Sequence, residues 1–210
     1  MPPPGGRRAL TLDELGRLLS VAHGAIRVLI DLSGRNGLRP AEARGLQWPD
    51  VDLAAGVLRV KGQLDENDEL APPKTKASAR AIRLDSGTVD LLAAWQDEQD
   101  RLQHRARVVW SDRELVVTTG RGTPINRNNY RRTLRMLCGR ADIEPPITPY
   151  ELRHTAISHQ ADMGHSSWQI ADWAGTSERM ISERYRHKLS GISSLGPVQL
   201  KPHSLPSDSR

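Results

Sequence analysis

The stretch "ITPYELRHTAISHQADMG", Ile147 to Gly164, constrains the fold more than any other. Thr148 suits a helix N-cap, Pro149 the first helical position and Glu151 the third, where a carboxylate can reach back to the cap. Gly164 supplies a stop. A segment punctuated in this way at both ends reads as a helix and excludes a strand. "TLDE" at Thr11 repeats the opening signal, followed by Leu12, Leu15, Leu18, Leu19 and Ala22 at helical spacing. The apolar run Ile26 to Leu32 predicts a buried helix that ends at the turn-rich "SGRNG". In "LRPAEARGLQW", Pro40 fits N1 and Glu42 N3, which sets Arg39 at the N-cap.

Two stretches change the period. "VLRVKGQ" from Val57 and "ARAIRL", Ala79 to Leu84, alternate as strands do. The polar segment between them, "LDENDELAPPKTKAS", reads as an exposed connection, and Pro72-Pro73 argue against a central strand there. Residues 86–107 return to a helical pattern. "ELVVTTGRGTPI" predicts a short strand and a glycine turn. Asn126 then caps a helix whose inner stripe is Tyr130, Leu134 and Leu137. Arg127, Arg131 and Arg135 form a second stripe on it, read either as a solvated face or as a phosphate-contacting one. A short helix from Ser167 to Trp173 closes at Gly175, and Ser177 caps a helix that carries Tyr185. The fold class expected is mainly α with a small antiparallel β-sheet (α+β). Residues 1–10 read as a flexible leader or cut linker, 11–189 as one domain, and 190–210 as a loosely held tail.

Composition bounds the chemistry. The 210 residues carry 30 Lys+Arg against 25 Asp+Glu, a net charge of +5, a modest hint of a polyanionic partner. Lysine is confined to Lys61, Lys74, Lys76, Lys188 and Lys201, so arginine supplies most of the positive charge. The lone Cys138 excludes an internal disulfide and a cysteine-rich metal site. No apolar run approaches the roughly 18 residues that span a bilayer, and the N-terminus lacks the apolar core of a secretory signal. A cytoplasmic setting without membrane contact is expected.

Three segments then combine: "GLRPAEARGLQWPDVD", "TPYELRHT" and "WAGTSERMISERYRH", with Tyr185 32 residues beyond Arg153. In order and spacing they resemble the catalytic domain of tyrosine recombinases, the phage integrase family, from about Thr11 to His187. The resemblance implies that Tyr185 attacks a DNA phosphodiester, leaving a 3′-phosphotyrosine and a free 5′-hydroxyl. A second 5′-hydroxyl then reverses the step on a new partner, with no metal, ATP or other cofactor. It further implies that Arg39 and Arg153 meet the charge on the non-bridging oxygens, with Glu42 orienting Arg39, completing the helix start, or both. A hairpin lysine would protonate the leaving oxygen: Lys74 is favoured, with Lys76 close behind as a catalytic or DNA-binding residue. Partners would be double-stranded DNA attachment sites, with a homo-tetramer assembled on paired sites. Family members usually add an N-terminal helical domain, so a chain starting here is expected to be a fragment, a truncated gene or a minimal form.

The histidines depart from the family pattern. Tyr150 stands where the second box usually has histidine. Ten residues before Tyr185 is Gly175, followed by Thr176 where histidine or tryptophan is usual. "GHSS" at Gly164 lies 21 residues before Tyr185 and reads as scaffold. His154 reads as a packing residue pointing away from the chemistry. Tyr150 and Thr176 are therefore expected to donate hydrogen bonds while the arginines carry catalysis. A DNA-binding remnant without catalysis is one alternative, and a type IB topoisomerase-like enzyme the other.

Overall fold

The computed structural model describes residues 8–73, 78–106 and 109–189. The helices in chain order are α1 (Leu12–Val21), α2 (Gly24–Gly34), α3 (Pro40–Arg44), α4 (Ser86–Ala106), α5 (Arg127–Arg140), α6 (Pro149–Asp162), α7 (Ser167–Ala174) and α8 (Glu178–Leu189). The strands are β1 (Val51–Asp52), β2 (Val57–Val60), β3 (Gln63–Leu64), β4 (Leu70–Ala71) and β5 (Arg80–Arg83). β1, β2 and β5 form one antiparallel sheet, with Leu58 opposite Ile82. The fold is mainly helical with a small antiparallel sheet.

Local signals explain most boundaries. The Thr11 side chain accepts from the Glu14 N–H, while Glu14 accepts from the Thr11 N–H, so two orphan donors of α1 are satisfied reciprocally. Asn126 Oδ1 accepts from the N–H groups of Asn128 and Asn129 at the start of α5. α7 ends where Gly175 takes the left-handed conformation, φ 65°, which costs glycine nothing.

Two expectations are corrected. The connection read as exposed contains the short β3–β4 hairpin, because Leu64 is buried and draws its flank inward. "ELVVTTGRGTPI" forms isolated bridges rather than a strand, Gln47 with Leu115 and Thr118 with Pro124. Its Leu115, Val116 and Val117 are consecutively buried, so no face alternates.

The main apolar core joins α1, α2, the sheet, α4 and α5 through Leu18, Leu29, Leu58, Leu92 and Leu134. A smaller core lies between α6, α7 and α8 and contains Ile157, Ala174, Ile181 and Tyr185. Trp173 packs against both. α6 also packs on α2, so its N-terminal half lies between the two cores.

Candidate active site

Arg39 enters from the α2–α3 loop. Its backbone is extended ahead of Pro40, as a residue before proline must be. Its N–H donates to Glu42 Oε2 at 2.8 Å, and its guanidinium donates to Glu42 Oε1 at 2.5 Å and to the Gly175 carbonyl at 2.6 Å. Glu42 thus both completes the helix start and holds the arginine. Gly37, two residues earlier, has φ 68°, and a Cβ there would fall 2.6 Å from the Trp173 ring. Only glycine fits both demands.

Arg153 comes from the second turn of α6 and is 7% exposed. It donates to the carbonyls of Gly37 at 2.5 Å and Ala174 at 2.7 Å. It does not pair with Glu151, which caps Thr148 instead. Burial, and then the neighbouring Arg39 cation, push the Arg153 pKa down to about 9.

A third arginine was not singled out in the sequence. Arg80, the first residue of β5, donates to the Trp173 carbonyl at 2.7 Å and to both Glu42 oxygens, at 3.3 and 3.1 Å. Its side chain is 5% exposed. The signal available was a charge at an inward register position of an alternating strand. Three successive carbonyls at the end of α7, those of Trp173, Ala174 and Gly175, therefore accept from Arg80, Arg153 and Arg39. A helix C-terminus carries partial negative charge and unpaired carbonyls, so it draws cations.

Electrostatically, three guanidinia face the one buried carboxylate of Glu42. Burial raises the Glu42 pKa, but the Arg80 charge and hydrogen bond and the Arg39 N–H outweigh it and hold the group below the usual carboxylate range. The cluster keeps a surplus of positive charge. A guanidinium has five N–H donors, so Arg39 and Arg153 retain donors for an incoming oxyanion.

Tyr185 sits beside this cluster. It is 2% exposed, packed with Ile157, Ala174 and Ile181, and close enough to Arg153 for their charges to interact. Its hydroxyl is hydrogen-bonded to His154 Nδ1, with ring centroids 5.2 Å apart. The expectation that His154 points away is therefore corrected. It does lie one step round α6 from Arg153, but α8 packs along that flank, so the step turns it onto the tyrosine.

The other sequence-derived candidates are dispersed. Tyr150 is 54% exposed at the start of α6. The Thr176 hydroxyl donates to the Met180 sulfur at 3.4 Å. His165 is exposed, and its neighbour Ser166 caps α7. Arg127, Arg131 and Arg135 are exposed on α5, away from buried Tyr130, Leu134 and Leu137. Lys74 and Lys76 lie outside the described residues. Among the described residues, no group of three or more His, Cys, Asp or Glu is arranged to hold a metal ion, and no helix is long and apolar enough to cross a membrane.

Comparison with known proteins points one way. The phage integrase family model matches residues 8–191. An integrase from Streptomyces ambofaciens is 28% identical, over 91% of this chain and 52% of its own length. The tyrosine recombinase XerD of Halalkalibacterium halodurans is 23% identical, over 86% of this chain and 57% of its own. The chain thus spans about half the length of the curated relatives it matches. Among solved structures, XerA recombinase superposes with a TM-score of 0.70 at 21% identity, covering 86% of this chain and 60% of that one. The catalytic domain of bacteriophage HP1 integrase gives 0.55 at 16% identity, covering 87% and 88%.

Proposed function

Because the chain belongs to the phage integrase family, we propose that it is a site-specific recombinase that cleaves and rejoins DNA through a 3′-phosphotyrosine on Tyr185. The observation that carries this reading is a buried phenol beside an arginine cluster that holds more positive than negative charge. In the attack on phosphorus, negative charge grows on the non-bridging oxygens. Arg39 and Arg153 offer donors already oriented by the end of α7, so little reorganisation remains for the transition state. Arg80 and Glu42 position those two. Tyr150 and Thr176 add neutral hydrogen bonds to the phosphate, and Lys74, or Lys76 beside it, protonates the leaving 5′-oxygen. Arg127, Arg131 and Arg135 contact backbone phosphates, a salt-dependent contribution.

The partners in this reading are double-stranded attachment sites, bound by a homo-tetramer in the cytoplasm. The catalytic unit starts before residue 11 and runs to 189, followed by a tail (190–210). The leader expected over 1–10 is corrected at its end, because Leu10 is buried in the main core and its N–H donates to Thr155 Oγ1, while Arg8 donates to the Pro145 carbonyl. One structure of similar fold, the Tn1549 transposon integrase, is in complex with transposon right end DNA, which supports DNA as the substrate class. A second reading, a DNA-binding remnant, draws on Tyr150 and Thr176 occupying positions where histidine is usual.

The test is a nicked-duplex library of randomised sequence, incubated with the chain and probed for protein–DNA adducts that survive SDS. The parent chain is expected to form an adduct and Tyr185→Phe to form none. An adduct that persists in Tyr185→Phe places the nucleophile elsewhere. Binding with no adduct on any selected sequence supports the remnant. Plasmid relaxation without strand exchange supports a topoisomerase.

A further inference from the structure

The histidines that the second and third boxes usually carry are absent, yet the phenol of Tyr185 is not without an imidazole. We propose that His154 is the general base that takes the Tyr185 proton during attack, an inference that rests on Tyr185 being the nucleophile. Its Nδ1 is hydrogen-bonded to the Tyr185 oxygen, the atom that would form the new bond to phosphorus. To accept that proton, the ring must carry its own hydrogen on Nε2.

The contact is held from both sides. Leu152 and Thr155, which flank the Arg153–His154 pair, are fully buried. Arg153 is anchored to two backbone carbonyls on separate segments. The α6 backbone at His154 is therefore fixed, and the hydrogen bond to the Tyr185 oxygen sets the imidazole direction. On the other side Tyr185 is enclosed by Ile157, Ala161 and Ile181, so the phenol has little freedom to turn away. Neither alternative group can do this work. Tyr150 is exposed at the start of α6 and the Thr176 hydroxyl is turned to the Met180 sulfur, and neither a phenol nor an aliphatic hydroxyl is a base near neutrality, whereas an imidazole is. The neighbouring guanidinium of Arg153 favours negative charge growing on the phenol oxygen.

The step balances without a further reactant. The Tyr185 oxygen forms its bond to phosphorus as the bond from phosphorus to the 5′-oxygen breaks. The phenol proton moves to His154 Nδ1, and the departing 5′-oxygen takes a proton from water or from the hairpin lysine. In rejoining, the incoming 5′-oxygen forms its bond to phosphorus and gives its proton to water or to the hairpin lysine, the phosphotyrosine bond breaks, and His154 returns the proton to Tyr185.

The discriminating variant is His154→Asn. Asparagine can place its side-chain oxygen near the position of Nδ1 and still accept the tyrosine hydrogen bond, but it cannot take the proton. General acid–base catalysis contributes roughly 10²–10⁴-fold, so His154→Asn is expected to slow adduct formation by about 100-fold or more on sequences selected with the parent chain, with DNA binding and melting temperature unchanged. The loss should persist on substrates whose leaving 5′-oxygen is replaced by sulfur, because a thiolate leaves without protonation and the defect lies on the attacking side. If that sulfur substitution restores the parent rate, His154 serves the leaving group and the proposal is overturned. If His154→Asn cleaves as fast as the parent while His154→Ala does not, the residue only holds the tyrosine in place, and the proposal is again overturned. A parent chain that forms no Tyr185 adduct overturns the nucleophile reading and this one with it. An active parent with an active His154→Asn overturns this one alone.

Discussion

The two ends of α7 carry nearly the same short sequence, "GHSS" before it and "AGTS" after it, and they are built in opposite ways. At the N-terminal end the cap itself is local, and a longer contact runs from Ser167 Oγ to Glu178 Oε1 at the start of α8. The Ser166 N–H donates to Gln169 Oε1 and the Gln169 N–H to Ser166 Oγ. At the C-terminal end the three terminal carbonyls are held by Arg80, Arg153 and Arg39, from β5, α6 and the start of α3. A local cap ends a helix and does little else. A helix end closed by cations from three distant elements becomes the template that orients those cations. The motif with the histidine therefore caps a helix, and the motif without it borders the arginine cluster.

The strongest way to break the C-terminal end is Glu42→Gln. The neutral amide keeps the shape but leaves three guanidinia without their shared carboxylate. Breaking a buried ion pair costs about 3–5 kcal/mol, and urea denaturation at neutral pH is expected to register a loss of that order. The pH dependence has a definite sign. The folded Glu42 carboxyl is held below its ordinary range, after the arginines outweigh burial. Its stabilisation is therefore complete above the ordinary carboxylate pKa and is lost as pH falls through the lower folded value. The gap between parent and variant should narrow in acid. A gap that stays constant from about pH 7 to about pH 3 would show that the Glu42 charge is not what holds the cluster together.

Gly37→Ala attacks the same end more gently. Its backbone is left-handed and its missing Cβ leaves room for the Trp173 ring. Strain of this kind costs about 1–3 kcal/mol, and thermal melting should fall accordingly. Because the Gly37 carbonyl also holds Arg153, adduct formation should slow by more than the loss of folded protein accounts for. Adding Trp173→Leu separates the two causes: it should return the part due to the clash and leave the part due to φ. If the double variant is no more stable than Gly37→Ala, the ring contact is irrelevant.

How far the sequence reveals this arrangement follows from the same contrast. Caps and stops are local, so Thr11, Asn126, Thr148 and Gly175 announce their helices before any fold is known. The arginine boxes are legible because Arg39 and Arg153 stand in recognisable surroundings. Arg80 is not, since its role depends on β5 running beside α3 and α7, which no local pattern encodes. His154 was legible as a residue and misread as a direction. Helical geometry gives the step round α6 correctly, but only tertiary packing reveals that α8 occupies that flank. The β3–β4 hairpin was missed for a related reason: a two-residue strand has no periodicity to detect.

The smallest expected effect tests the N-terminal end. His165 is exposed, and its backbone N–H, not its ring, makes the turn contact to the Gln160 carbonyl. His165→Ala keeps that N–H and removes only a solvated side chain. Stability should change by no more than about 0.5 kcal/mol, and the rate of adduct formation should match the parent. Ser166→Ala, one residue on, should cost about 1 kcal/mol through the lost cap and still cleave normally. A collapse of cleavage in His165→Ala, with melting unchanged, would mean that the histidine turn serves Tyr185 after all. The two ends of α7 would then exchange roles, the histidine turn serving the nucleophile and the arginine-held end serving the fold.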